Sequence, residues 1–104
     1  MLFIKEKAMI VSLNYELDFT DHFLDDIEAH RKSGDKTILK KIDVLLEELR
    51  VHPTTGTGKP HTLKGEEFKG QWSRRITGKH RLVYKIEKQT ICILMLSAYG
   101  HYGD

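Results

Sequence analysis

One cysteine, Cys92, occurs in the 104 residues, so no disulfide forms within the chain and its stability must come from packing. Long hydrophobic runs are missing too. The opening stretch MLFIKEKAMIVSL is interrupted by Lys5, Glu6 and Lys7 and has no small-residue cleavage site, so it reads as neither a signal peptide nor a membrane span. Residues 1–13 are set apart as a candidate N-terminal extension, with Met9 as an alternative start. Prolines are scarce, only Pro53 and Pro60, and there is neither an internal repeat nor a low-complexity tract. What remains is one domain over residues 1–104, long enough to bury a modest core without a structural metal. Cysteine usage and the absence of a targeting signal agree with a cytoplasmic location and no membrane.

The net charge of +2 conceals an asymmetry. Residues 1–53 carry 8 Lys and Arg against 11 Asp and Glu, whereas residues 54–104 carry 9 against 4. A basic patch gathered in one half is the usual footprint of a polyanionic partner.

Local patterns place that patch on a sheet. NYELDF alternates as a strand does, and Thr20 then supplies an N-cap hydroxyl with Asp21 in the first turn. A helix over 21–32 turns Phe23, Leu24 and Ile27 inward and ends at Ser33-Gly34. A second helix over about 35–50 carries Ile38, Ile42, Leu45, Leu46 and Leu49 as an apolar stripe, and His52-Pro53 stops it. TTGTGKP is a loop by composition. Strands follow at about 71–77, 81–86 and 90–98; the last, apolar on both faces, belongs inside the sheet. The fold class is therefore α+β, with two N-terminal helices packed on one face of a small, mainly antiparallel twisted sheet.

The other face is left for function. Along the first of these strands Trp72 and Ile76 share the core side, while Ser73, Arg75 and Thr77 share the other. Pairing Ile76 with Leu82 leaves Gly78-Lys79-His80 as a three-residue hairpin loop. Arg75 and Arg81 then become diagonal neighbours, roughly 7–8 Å apart at Cα, converging on one phosphate. Arg74 points to the helix side and needs a carboxylate from the acidic half.

GKPHTLK, GQWSRRITGKHRLVY and the terminal GHY resemble the Txe/YoeB branch of the RelE-like toxins of bacterial toxin–antitoxin modules, over about residues 15–102. The resemblance implies a ribosome-dependent mRNA endoribonuclease of RelE-like microbial RNase fold, helices on one face and RNA on the other. Cleavage there uses the substrate 2′-hydroxyl and needs no metal or other cofactor. It also implies neutralisation by a cognate antitoxin, YefM/Axe-like or other, and homodimerisation. By position, Arg81 matches the arginine bracing the scissile phosphate, His101 the acid that protonates the leaving group, and Tyr102 the tyrosine that helps order the RNA. Lys64 and Arg75 match basic residues lining the site, and Lys59 and Lys85 extend the basic surface toward RNA. His61 stands where this branch usually has glutamate as general base, and Gly103-Asp104 extend past the usual terminus.

These residue types suit RNA transesterification. The reaction needs a base, cationic donors for the phosphoryl oxygens and an acid. Arginine supplies an always-charged fork, and histidine serves either proton-transfer role near neutral pH. Other features read as structural. Trp72 belongs to the core, and Cys92 is an inert core thiol. His22, Asp26 and His30 sit on one solvated helix face rather than at a metal, and GTGK lacks the spacing of a phosphate-binding loop. The competing functional reading is a non-catalytic member of the fold, a gyrase-inhibitor-like toxin or an inactive antitoxin-binding partner; the retained Arg81 and His101-Tyr102 favour cleavage.

Overall fold

Thr20 starts the first helix in the way its position predicts: its Oγ1 accepts from the Phe23 N–H at 3.1 Å. The same hydroxyl donates to the carbonyls of Met95 and Leu96, so one side chain caps a helix and ties it to the sheet. The computed structural model describes residues 14–100. The expected extension at 1–13 and the pair His101-Tyr102 lie outside the described residues. Within them the chain forms β1 (Glu16–Phe19), α1 (Asp21–Lys32), α2 (Lys36–Leu49), β2 (His61–Thr62), β3 (Gln71–Arg75), β4 (Arg81–Glu87) and β5 (Cys92–Ser97). No described helix is long and apolar enough to cross a membrane.

The five strands form one sheet in the order β1-β5-β4-β3-β2. Pairing is antiparallel except between β1 and β5, because the helices carry the chain away after β1 and β5 returns alongside it in the same direction. β5 therefore has neighbours on both sides, as its two-sided apolarity predicts. The helices cover one face. Phe23, Ile42, Leu45 and Leu49 pack there against Ile76, Leu82, Tyr84, Ile93, Met95 and Ala98, and each large side chain so buried contributes about 1.5–3 kcal/mol. Trp72 joins this core at its margin. Leu24 does not: it is 50% exposed, because the inward stripe of α1 runs Phe23, Ile27, His30 and leaves Leu24 beside an outer groove with Phe19 and Leu39.

β5 changes phase before it ends. Tyr84 pairs with Met95 but Val83 pairs with Ser97, so Leu96 is the extra residue of a bulge. Ser97 consequently turns away from the helices while Ala98 enters the core.

The helix side also buries a cation. Arg74 is 0% exposed, and its guanidinium donates to the Glu48 carboxylate of α2 and to the carbonyls of His52 at 2.7 Å and Thr55 at 2.9 Å. The carboxylate partner expected from the acidic half is thus Glu48. That carboxylate also accepts from the Thr57 N–H and hydroxyl. Burial pushes the Glu48 carboxyl upward, but the Thr57 donors and Arg74 together hold it below its ordinary value of 4.5.

Removing the carboxylate strands a buried guanidinium, so Glu48→Ala is expected to cost about 3 kcal/mol, the low end for breaking a buried pair because Glu48 is itself partly exposed. A carboxyl lowered in the folded state stabilises fully above its unfolded value near 4.5 and loses that contribution as pH falls through the folded value. Urea titrations should therefore show Glu48→Gln weaker than wild type at neutral pH, with the gap narrowing below pH 4.5. A gap constant with pH would separate Glu48 from the stability of the ionised pair.

Candidate active site

Alternation along β3 sends Arg74 to the helix side and its neighbours Ser73 and Arg75 to the other face, where Ser73 is buried and Arg75 exposed. The face away from the helices is crossed by a row of paired residues, His61 on β2, Ser73 on β3, Val83 on β4 and Ser97 on β5; His61 is exposed, while Ser73, Val83 and Ser97 are buried. One step along, Arg75 pairs directly with Arg81. This corrects the expected diagonal arrangement. The strands separate at Arg75 and Arg81, and Thr77 closes a wider loop: its Oγ1 accepts from the N–H groups of Lys79 and His80, while the His80 carbonyl accepts from Ile76 and Thr77. Pairing moves by two residues, so every side chain keeps its face. The two arginine Cα atoms are then about 4.5–5.5 Å apart, closer than diagonal neighbours. Arg75 is exposed and Arg81 half-buried.

Two elements bring His61 to this pair. Gly58 adopts φ +87°, and a Cβ there would meet the Arg74 side chain and the Arg75 carbonyl at 2.7 Å. Only glycine passes so close. The Gly58 carbonyl accepts from the Arg75 N–H at 2.7 Å, and Lys59 follows at φ 51°. His61 then pairs with Ser73, which makes it a diagonal neighbour of Arg75 at about 7–8 Å.

The imidazole of His61 is oriented as well. Its Nδ1 lies 3.0 Å from the Lys59 carbonyl, and a carbonyl only accepts, so Nδ1 carries the proton and Nε2 is the basic nitrogen of the neutral ring. Lys59 and Lys64 are exposed near this strand, Lys64 directly after Leu63, whose N–H donates to the Gln71 carbonyl. Lys85 shares the open face but stands four residues from Arg81, about 13 Å along β4, and lies 3.8 Å from Glu87. The structure thus groups His61, Arg75 and Arg81, with Lys59 and Lys64 on the approach to His61, and sets Lys85 apart. His101 and Tyr102 lie outside the described residues.

The sequence also misplaces Cys92. It pairs with Glu16 and Glu87 on the open face, half-buried rather than in the core, with its thiol donating to Asp18 at 3.0 Å. Burial, together with Asp18, Glu16 and Glu87, pushes that thiol up to about 11. The open face is therefore polarised, acidic at the β1–β5 corner and basic at the β3–β4 end.

Asp26 and His30 hold backbone. Asp26 accepts from the Ala98 N–H and His30 Nε2 donates to the Ala98 carbonyl, both at 2.8 Å. β2 has no counterpart in the sequence reading, since two residues carry no periodicity. The arrangement at Ala98 leaves no local signal either.

Two helices backing a five-stranded, mostly antiparallel sheet make the RelE-like toxin fold. Residues 19–102 match the family described as YoeB-like toxin of bacterial type II toxin–antitoxin system, and the chain belongs to that family. It is 38% identical over 86 residues to Toxin YoeB of Streptomyces coelicolor, covering 83% of this chain and 98% of that protein. It is similar to a YoeB dimer from Staphylococcus aureus (TM-score 0.73, 33% identity, 86% of this chain and 99% of that one). It is also similar to a heterotetrameric YoeB-YefM toxin–antitoxin complex from the same organism (TM-score 0.71, 34% identity, 85% and 98%).

Like charges directly opposite in a strand pair are destabilising. Arg75→Thr is accordingly expected to raise stability by about 0.5 kcal/mol at low salt, with the gain shrinking as salt screens the pair. Thermal melts at two ionic strengths check this; a loss of stability at both would show that Arg75 supports the sheet rather than straining it.

Proposed function

We propose that this toxin is an endoribonuclease that cuts mRNA on the ribosome by attack of the substrate 2′-hydroxyl on the adjacent phosphorus. The observation that carries the reading is the grouping of His61, with its tautomer fixed by the Lys59 carbonyl, beside the face-to-face pair Arg75 and Arg81. His61 Nε2 takes the 2′-proton as the 2′-oxygen bonds to phosphorus. Arg81, with Arg75 and Lys64, stabilises the charge that builds on the phosphoryl oxygens. The bond from phosphorus to the 5′-oxygen breaks, and His101 protonates that oxygen while Tyr102 orders the RNA. The products are a 2′,3′-cyclic phosphate and a free 5′-hydroxyl. Lys59 and Lys85 contact the RNA backbone outside the reacting centre.

The similarity to the YoeB-YefM complex and to the YoeB dimer supports a YefM-like antitoxin partner and a homodimer for this chain. A segment that covers Lys64, Arg75, Arg81 and Lys85 must carry acidic as well as apolar groups. Its association rate should fall as salt rises; a rate indifferent to ionic strength would place the antitoxin elsewhere.

Single-turnover cleavage on programmed ribosomes tests the mechanism. Arg81→Ala is expected to lower the rate 10²-fold or more, by analogy with loss of an oxyanion donor. His61→Ala is expected to slow it by about 10²-fold, and His61→Glu to recover part of that loss. A folded Arg81→Ala chain that cuts at the wild-type rate would remove Arg81 from the reaction. Wild-type chain that binds ribosomes and leaves the RNA intact would favour the non-catalytic reading.

A further inference from the structure

A cleft of about 430 Å³ opens where the turn between α1 and α2 meets the β3–β4 loop, while Arg75 and Arg81 stand on the other face of the same hairpin end. Ser33 and Asp35 line the cleft from the helix side, Thr77 and Lys79 from the loop, and Tyr99 from the chain after β5. Its volume lies within the range of small-ligand sites.

Tyr99 is 48% exposed, yet its ring is held. The rings of His30 and His80 pack on it with centroids 4.8 Å and 4.6 Å away, and they meet each other edge to face at 4.7 Å. His30 is 1% exposed, so the cluster is anchored in the core. The backbone on either side of Tyr99 is fixed too. Asp26 and His30 hold Ala98; the Gly100 N–H donates to His80 Nδ1 and its carbonyl accepts from the Arg81 N–H, both at 2.9 Å. An aromatic ring ordered in advance and half open to water is a stacking platform that loses little freedom when a second ring lands on it.

The polar groups of the cleft say which ring it suits. Lys79 is exposed and brings ammonium donors. Asp35 uses Oδ1 to cap α2 by accepting from the Ile38 N–H at 3.0 Å, and its Oδ2 remains an acceptor. Thr77 Oγ1 accepts from the Lys79 and His80 N–H groups, which leaves its O–H to donate. A phosphate only accepts and is repelled by a carboxylate, whereas the edge of a nucleobase carries donors and acceptors together. The cleft therefore has the chemistry for a base and the arginine pair the chemistry for a phosphate. The two are close along the chain, because Arg81 directly follows His80 and is bonded to the residue after Tyr99.

We propose that this cleft takes one unpaired nucleobase of the RNA, stacked on Tyr99 with its edge toward Lys79 and Asp35, while the RNA backbone rounds the β3–β4 loop to Arg75 and Arg81. The proposal rests on the RNA substrate of the function proposed above, but not on the cutting step.

The probe is a single-stranded dinucleotide with its 2′-hydroxyls methylated, which lacks the nucleophile and stays whole, compared with two versions that each lack one base. In NMR titrations of the free chain at low salt, the complete probe should move the Tyr99 ring protons upfield, and loss of one of the two bases should weaken binding by about 10-fold. Tyr99→Leu should weaken the complete probe by about the same factor and no longer sense that base, whereas Tyr99→Trp should keep both affinity and discrimination. Arg81→Ala should weaken all three probes alike, since it meets the backbone. The proposal is overturned by a probe that binds without moving the Tyr99 ring, that binds folded Tyr99→Leu as tightly as wild type, that loses no affinity with either base, or that fails to bind at millimolar concentration. Cutting is scored separately on programmed ribosomes: wild type that leaves the mRNA intact while the probe still stacks on Tyr99 ends the cleavage mechanism and supports the base site.

Discussion

A guanidinium with no exposure to water, Arg74, constrains much of this molecule. A buried charge persists only where most of its donors are met, and the two terminal nitrogens of Arg74 meet Glu48 on α2 and two loop carbonyls, His52 and Thr55, while its Nε is buried without a hydrogen-bond partner. The end of α2, the loop after it and the middle of the sheet are thereby joined at one point. The Tyr84 hydroxyl adds a second tie from the sheet to the same loop, donating to the Pro53 carbonyl at 2.7 Å. From Thr57, bonded to Glu48, the chain passes Gly58 against Arg74 and reaches Lys59 and His61. The location of the candidate base is therefore determined by an ion pair on the opposite face of the sheet.

Adjacent residues divide these duties. Arg74 and Arg75 have the same chemistry and opposite fates, because strand alternation buries one and presents the other. This division was legible in the sequence, as was Arg74's need for an acidic partner. So were both helices, the Thr20 cap of the first, and the interior place of β5. These features depend on local pattern alone. The hairpin register was not legible, because a three-residue loop and a loop closed by the Thr77 side chain satisfy the same alternation. Leu24 and Cys92 were misplaced for a related reason: apolar or small character says that a residue tolerates burial, while strand alternation and the helix stripe decide whether it receives it.

The candidate site divides in the same way. His61, Arg75 and Arg81 could be singled out by residue type and resemblance, but their closeness depends on β2, a pairing of two residues with no periodic signature. The grip on residues 98–100 is less visible still. It joins α1, the β3–β4 loop and β4 through backbone groups, and backbone groups do not vary with sequence. A bulge at Leu96 sets the phase that turns Ala98 inward toward Asp26 and His30. His30 and Asp26 have the spacing of a helical pair that could serve many ends, and only the fold shows that they clamp a strand exit.

If His61 is the base, as proposed, in the position where the resemblance implies a glutamate, the site must provide something more. A carboxylate base needs no tautomer, but beside two arginines it competes with the phosphate for their forks. A neutral imidazole does not compete for those forks, yet it is a base at one nitrogen only and must be turned correctly. The Lys59 carbonyl does that turning by accepting from Nδ1. Lys59 presents the carbonyl from a left-handed conformation next to Gly58, whose own path is fixed by contact with Arg74. Under the proposed mechanism, the orientation that a glutamate would not require is thus supplied by the same buried arginine that joins α2 to the sheet.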